Sequence, residues 1–461
     1  MHRGANAGYQ LSGSSKTLSD EKPREKGVAV PTGRLSRLAH FGSLATSIAG
    51  GVLLDGARQL AQGQRPTVAD LLMTPLNALK VTHQLSQLRG AAMKIGQLLS
   101  MDAGDMLPAE LTEILGRLRA DAQHMPQYQL QRELNQRWGK DWQQRFQSFS
   151  MTPMAAASIG QVHRARARDG QDLAIKIQYP GIRKSIDSDV NNVASFMRMS
   201  GLLPASLDIE PILSEAKRQL HEEADYLRES AYLTRFAGLM SASPKFVVPT
   251  LRSDLTTPTM LAMSYVEGVP VDSLIGAPQL ERDRIMGLLI ELVLRELFEF
   301  QLVQTDPNFA NYLYNRAEEK LILLDFGATR SIPRAVADKY RRLMLAGLAG
   351  DRSGSREAAV SLGLFDERTP RKHQATVMKM LEIAMEPLRF DGAFDFGNTD
   401  VAARLRDAGV TIAVDRDFWH VPPMDVLFLQ RKIGGMFLLA SRLKARVNVN
   451  ALLDPYSSQS G

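Results

Sequence analysis

The stretch that most constrains this chain is Gln304-Thr305-Asp306-Pro307-Asn308-Phe309-Ala310-Asn311, followed shortly by Leu321-Ile322-Leu323-Leu324-Asp325-Phe326-Gly327. Tyr312 to Tyr314 and Leu321 to Leu324 read as two short strands, and Asn315 to Lys320 is polar enough to be the turn between them. Such a hairpin ends both strands at one cleft and brings Asn311 close to Asp325. An amide oxygen and a carboxylate there suit Mg²⁺ held against a triphosphate, because that hard ion prefers carboxylate, amide and water oxygens. An Asp, an Asn five positions later and then Asp-Phe-Gly is the spacing of a phosphoryl-transfer floor.

Composition narrows the partners. The 461 residues are 44% hydrophobic, enough to bury more than one core. There is no cysteine, which excludes disulfides and thiolate metal sites and fits a reducing compartment. The net charge of +6 favours anionic partners such as nucleotides, anionic lipid or nucleic acid and is too modest to choose among them. No nucleic-acid-binding module is recognisable, so no nucleic-acid partner is expected. No uncharged apolar run reaches the ~18 residues that span a bilayer. The closest, Phe41 to Leu54, is short and rich in Gly, Ala and Ser. No secretory signal is evident at the N-terminus, and Asp20, Glu21 and Glu25 argue against a transit peptide. A cytoplasmic, peripherally membrane-associated protein is the expectation.

The chain then divides in order. Residues 1–30 read as a disordered tail rich in Ser, Gly and Lys, and 31–147 as a helical N-terminal extension. Arg34 to Ala61 fits a packed helix hairpin or a helix lying on a membrane; its weakly cationic polar face favours the hairpin. Leu85 to Leu99 is helical and contains Lys94-Ile95-Gly96-Gln97, and another helix is expected from Ala109 to Leu118. Gly96 inside a helix costs ~1 kcal/mol relative to Ala and points to close backbone approach. Lys94 and Gln97 share a face, which by itself fits a solvated pair beside a packing glycine. A further helix is expected from Tyr128 to Phe146. Strands begin near Phe149. Val162 to Arg168 alternates, with Arg164, Arg166 and Arg168 on one face and Ala165 and Ala167 on the other. After the turn at Asp169-Gly170, Leu173, Ile175 and Ile177 face one way, Ala174 and Lys176 the other. Lys176 fits either a snorkelling edge-strand lysine or an anion ligand. A long helix is expected from Ile209 to Leu239, with Glu222, Asp225 and Glu229 on one face. That face is either solvated or neutralised by lysines from elsewhere, Lys176 and Lys94 being the candidates. Met260 to Tyr265 is another strand, and Val266-Glu267-Gly268 connects onward to a helix from Leu280 to Gln304. Phe428 to Leu443 is strongly apolar and fits a helix packed on the second lobe.

These residues resemble the UbiB-type (aarF-domain) atypical kinases, a family linked to ubiquinone biosynthesis and lipid metabolism. Four motifs stand in family order over roughly Pro31 to Asn450. They are Lys94-Ile95-Gly96-Gln97, the loop Ala155-Ala156-Ala157-Ser158-Ile159-Gly160-Gln161, Glu223-Ala224-Asp225 with Tyr226, and the Asp-Pro-Asn plus Asp-Phe-Gly pair. Thr305-Asp306-Pro307-Asn308 with an aromatic next resembles the branch that serves coenzyme Q synthesis. The resemblance implies an α+β, bilobal protein-kinase-like fold with a family-specific helical N-terminal insertion and a helical C-terminal extension. The kinase-like N-lobe would occupy 148–268 and the C-lobe 269–450, with a tail at 451–461.

By position, the resemblance makes Lys176 the phosphate-binding lysine, Glu229 its helix partner, Asp306 the catalytic-loop aspartate, and Asn311 and Asp325 the Mg²⁺ ligands. Ala155, Ala156, Ala157 and Ser158 would face the nucleotide phosphates. Ala174, Met263 and Val266 would also bind the nucleotide, the connector at Val266 holding adenine by backbone groups. Lys94 and Gln97 would cover the cleft, with Lys94 meeting Glu223 and Asp225. Helical spacing puts Glu223 far round from Asp225, so that contact requires a helix that bends or begins near Glu223. Two departures from ordinary protein kinases matter. Thr305 replaces the Arg that would pair with an activation-loop phosphate, which removes that switch. Alanines replace the glycines of the phosphate loop and restrict its backbone; the resemblance implies a shift toward ADP and suppressed protein phosphorylation. The expected cofactors are Mg²⁺ and ATP or ADP. Expected partners are adenine nucleotide, anionic membrane lipid, and quinone-pathway enzymes or precursors; monomer and homodimer are both open. The function implied is an ATPase that helps quinone precursors reach their enzymes. Its rivals are a small-molecule or lipid kinase and a nucleotide-gated scaffold without useful turnover.

Overall fold

Alternation in two strands sets the first sheet. The computed structural model describes residues 90–92, 94–95, 124–199, 209–306, 308–414 and 422–457. The expected N-terminal tail, the Arg34 to Ala61 segment, the Ala109 to Leu118 helix, Gly96 and Gln97 lie outside those residues. Helix α1 (Gln127–Trp138) precedes β1 (Phe146–Phe149), β2 (Ala155–Ala156), β3 (Gly160–Ala167) and β4 (Asp172–Gln178). In β4, Leu173, Ile175 and Ile177 are buried, as are Ala165 and Ala167 in β3. They form one core with Leu130, Leu134 and Trp138 of α1. Each large apolar side chain buried there contributes roughly 1.5–3 kcal/mol. β5 (Phe246–Val247) leaves for the second lobe, and β6 (Met260–Ser264) closes the sheet in the order β1-β3-β4-β6, with β2 on β3. β4 is therefore an interior strand, and Lys176 is not an edge lysine. Gly160 lets the strands close up: a Cβ there would lie 2.4 Å from the Ile177 carbonyl oxygen.

Between these strands run α2 (Ile182–Met199), α3 (Glu210–Glu223) and α4 (Tyr226–Met240). The single long helix expected from Ile209 is two helices. The cause is Asp225, whose side chain accepts a hydrogen bond from the Arg228 amide at 3.1 Å and caps a new helix start.

After the connector come β7 (Val269–Pro270) and α5 (Gln279–Arg295). Gly268 permits the connector to lie against the hairpin, since a Cβ would meet Ile322 at 2.8 Å and Leu313 at 2.9 Å. The helix expected to reach Gln304 ends earlier. Glu296–Phe300 form a π-helical turn, Gln301 takes the left-handed conformation at φ 50°, and β8 (Leu302–Gln304) follows. β9 (Tyr312–Asn315) and β10 (Lys320–Leu323) form the expected hairpin, in a sheet ordered β5-β10-β9-β7. β11 (Thr329–Ser331) returns to pair with β8. α6 (Arg334–Leu348), α7 (Arg352–Ser361) and α8 (Arg371–Ala384) follow, with β12 (Phe394–Asp395), α9 (Val401–Val414), α10 (Met424–Leu443), β13 (Arg446–Val447) and α11 (Val449–Ser457). The stretch expected to be a tail from residue 451 is helical to Ser457, with buried Tyr456 donating to Glu299 at 2.6 Å. The chain thus has the bilobal α+β kinase-like architecture. Among the described residues no helix is long and apolar enough to cross a membrane.

Candidate active site

Lys176 joins the two lobes. Its Nζ donates to Glu229 at 2.9 and 3.1 Å, and lies 3.4 Å from Asp325 Oδ2. Strand β4, helix α4 and the end of the β10 strand thus converge on one ammonium. Burial works to lower the Lys176 pKa, but Asp325 and Glu229 outweigh it and hold it well above the ordinary range. Burial pushes the Glu229 carboxyl up to about 7 against the pull of Lys176, and Asp325 adds to the rise. Burial opposes ionised Asp325 as well, yet Lys176 and the Gly327 amide hold it below the usual carboxylate range. That amide donates to Asp325 Oδ1 at 2.8 Å. Phe326 packs on Phe236 of α4 with ring centroids 5.0 Å apart, so Asp-Phe-Gly and the Glu229 helix are docked together.

These values give a pH prediction. Glu229 grips Lys176 fully only when ionised, so turnover is expected to climb as pH rises through about 7. Stability runs the other way. The folded carboxyl binds its proton more tightly than the ordinary value of 4.5 allows, so its contribution is lost as pH rises from 4.5 through about 7. Glu229→Gln should lower turnover and flatten both slopes. A pH–rate profile and denaturant titrations at several pH values check this.

Below Lys176, the Asn311 amide nitrogen approaches Asp306 Oδ2 at 3.5 Å. Two residues that sequence reasoning missed complete this floor. Arg431 of α10 lies 3.7 Å from Asp306 Oδ1. Lys432 is fully buried and donates to the Gln304 carbonyl at 2.8 Å and the Tyr312 hydroxyl at 2.7 Å, with Glu296 at 3.3 Å. Between Asp306 and Asn311 the chain carries no cation, and α10 supplies one from 120 residues further on. The available signal was a basic pair inside an otherwise apolar helix, because a charge in such a run needs a buried partner.

Over the cleft, Lys94 pairs with Glu223, and Glu223 also accepts from the Ser158 hydroxyl at 3.0 Å. Only half of the expected contact forms: Lys94 meets Glu223, while Asp225 is spent on the α4 cap. The break at Ala224 is what frees Glu223 to turn toward Lys94. Glu222 goes to Arg218 and Arg330 instead. So the acidic face is neutralised from elsewhere by Lys176 at Glu229 and Arg330 at Glu222, while Asp225 serves as the cap and Lys94 takes Glu223, off that face. The Lys94 segment packs tightly on the alanine loop; a Cβ on Gly90 would lie 3.1 Å from Ile159. Ala155 and Ala156 form β2, opposite Val162 and Gln161. Ala174 and Met263 are register partners on β4 and β6, and Val266 begins the connector.

The donor set around the floor suits Mg²⁺. Asp325 offers a carboxylate that remains ionised and Asn311 an amide oxygen. Among the described residues no group of three or more His, Cys, Asp or Glu could form a closed metal cage. One or two protein oxygens completed by phosphate and water is the usual way this ion is held.

Two lobes, a strand lysine paired to a helix glutamate, and an Asp, Asn, Asp set beneath them define the kinase-like class. Within that class, the chain belongs to the ABC1 atypical kinase-like family, whose domain model matches residues 117–359. This is the UbiB-type family, in the coenzyme Q branch that the motifs indicated. The chain is 38% identical over 436 residues to "Atypical kinase COQ8, mitochondrial" of Saccharomyces cerevisiae, covering 94% of this chain and 86% of that protein. It is 37% identical over 437 residues to "Atypical kinase COQ8B, mitochondrial" of Rattus norvegicus, covering 93% and 81%. Among solved structures it is similar to Rv3197 of Mycobacterium tuberculosis in complex with erythromycin. That likeness has a TM-score of 0.57 at 26% identity and covers 82% of this chain and 94% of the other.

Proposed function

We propose that this chain is a Mg²⁺-dependent atypical kinase-like ATPase acting in ubiquinone biosynthesis, where turnover helps lipophilic precursors reach membrane-associated enzymes. The observation that carries the nucleotide reading is Lys176 Nζ, 2.9 Å from Glu229 and 3.4 Å from Asp325. Lys176, fixed by Glu229, positions the α and β phosphates. Asp306 orients water or a small hydroxyl and takes its proton, with Arg431 holding the carboxylate in place. Bound Mg²⁺, on Asn311 and Asp325, would draw charge off the β and γ phosphates. Positioning and fixed charge supply most of the catalysis in such chemistry. Ala155 to Ser158 line the phosphates, with Ala174, Met263 and Val266 around adenine. The Lys94–Glu223–Ser158 chain closes the alanine loop, which supports a site shut to peptide substrates. The names of the relatives support the pathway, and the net charge of +6 supports docking on anionic lipid.

The test is Mg-ATP turnover with and without anionic liposomes carrying a prenylated phenol. Free phosphate that rises several-fold on the anionic liposomes supports the proposal. Phosphate appearing on the phenol instead indicates a small-molecule kinase. Unchanged precursor extraction with a nonhydrolysable ATP analogue indicates a nucleotide-gated scaffold.

A further inference from the structure

The segment after Asp-Phe-Gly is held at three consecutive carbonyls. The Arg228 guanidinium donates to the Gly327 carbonyl at 2.7 Å and the Thr329 carbonyl at 2.6 Å. The Ala328 carbonyl between them accepts from the Thr305 hydroxyl at 2.8 Å and the Thr305 amide at 3.2 Å. Next along, Arg330 donates to Glu222 of α3 at 3.0 Å and lies 4.2 Å over the Phe428 ring of α10. The chain then enters α6 at Arg334. No length of free loop separates Asp-Phe-Gly from the next helix.

The donors are informative in their origin. Arg228 is adjacent to Glu229, which holds Lys176. Thr305 is adjacent to Asp306 and stands where an ordinary protein kinase carries an arginine for a regulatory phosphate. So the glutamate helix, the catalytic loop and the Asp325 segment are bolted to one another by uncharged acceptors that are always present. A guanidinium forking across two carbonyls fixes direction as well as distance.

We propose that Arg228 and Thr305 are positioning residues that hold Asp325 in register to bind the metal, so that the site is set permanently instead of by phosphorylation. The proposal rests on the nucleotide-site reading above. Both side chains are spent on backbone carbonyls, so each acts through the backbone that carries Asp325. Losing the grip should therefore weaken the metal step more than nucleotide binding itself.

The experiment is a Mg²⁺ titration of ATP turnover in Arg228→Met, Arg228→Lys and Thr305→Val, alongside melting temperatures and ADP protection in EDTA. Arg228→Met is expected to raise the half-saturating Mg²⁺ roughly ten-fold, since two charge-assisted hydrogen bonds are lost. Thr305→Val keeps the shape and the backbone bond, and should raise it a few-fold. Arg228→Lys, with one point donor in place of a fork, should fall between Arg228→Met and wild type. ADP protection in EDTA should be unchanged throughout. Lower melting temperatures with wild-type Mg²⁺ half-saturation would overturn the proposal and leave these residues merely structural. If Arg228→Met does not fold, the Thr305→Val titration decides by the same criterion. Wild-type protein with neither turnover nor Mg-dependent protection by ATP overturns the nucleotide reading, and this inference with it.

Discussion

Asp325→Asn is expected to reduce Mg-ATP turnover by roughly 10²–10³-fold, the scale of losing a fixed charge aimed at a transition state. The fold should survive. Asp325 presses on Glu229, whose carboxyl burial and Asp325 together raise to about 7. Removing the negative charge relieves that repulsion and leaves Lys176 to Glu229 alone, 2.9 Å away. The variant should therefore melt close to wild type: relief at Glu229 offsets the loss of a carboxylate that the fold holds below its ordinary range. Its residual acid limb should move to lower pH, because Glu229 ionises more readily without its neighbour. ADP protection in EDTA should persist while Mg-dependent protection is lost. Activity and stability parting in this way is the usual sign of a residue kept for chemistry. Wild-type turnover in Asp325→Asn would remove Asp325 from the metal site.

How legible this was in the sequence depended on the range of the contact. Lys176 was visible because alternation in Leu173 to Ile177 is local and puts a lysine on a face with only Ala174. Asn311 and Asp325 were visible because a hairpin fixes their spacing. The break at Ala224 was foreseen only as a condition, since whether a chain of good helix formers continues depends on a cap competing with a helical hydrogen bond. The early end of α5 was not visible at all. A run of apolar residues up to Gln304 reads as helix, whereas the chain turns at Gln301 in the left-handed conformation and β8 pairs with β11 from further along the sequence. Arg228, Arg431 and Lys432 were missed for the same reason: their acceptors are carbonyls and carboxylates from other parts of the chain.

Lys432→Met is expected to cost about 3–5 kcal/mol of stability, the scale of breaking a buried ion pair from one side. Lys432 is wholly buried and Glu296 only 1% exposed, so water cannot replace the missing ammonium. The substitution leaves the Glu296 carboxylate uncompensated and takes a donor from both Gln304 and Tyr312. Burial already raises the Glu296 pKa against the pull of Lys432. Without the lysine it rises further above its unfolded value. The variant's deficit should thus be smaller in acid, where Glu296 is protonated in both states and only the bonds to Gln304 and Tyr312 are lost, and grow as pH rises. Glu296→Gln in the Lys432→Met background should recover part of the loss by removing the stranded charge. Denaturant titrations of the two single variants and the double variant form the cycle that measures the coupling. Additive losses, with no growth of the Lys432→Met deficit toward high pH, would show that the pair does not act as one unit. The kinetic consequence follows from where the lysine points. Gln304 and Tyr312 bracket the loop that carries Asp306 and Asn311, so turnover of Lys432→Met should fall even well below its melting temperature.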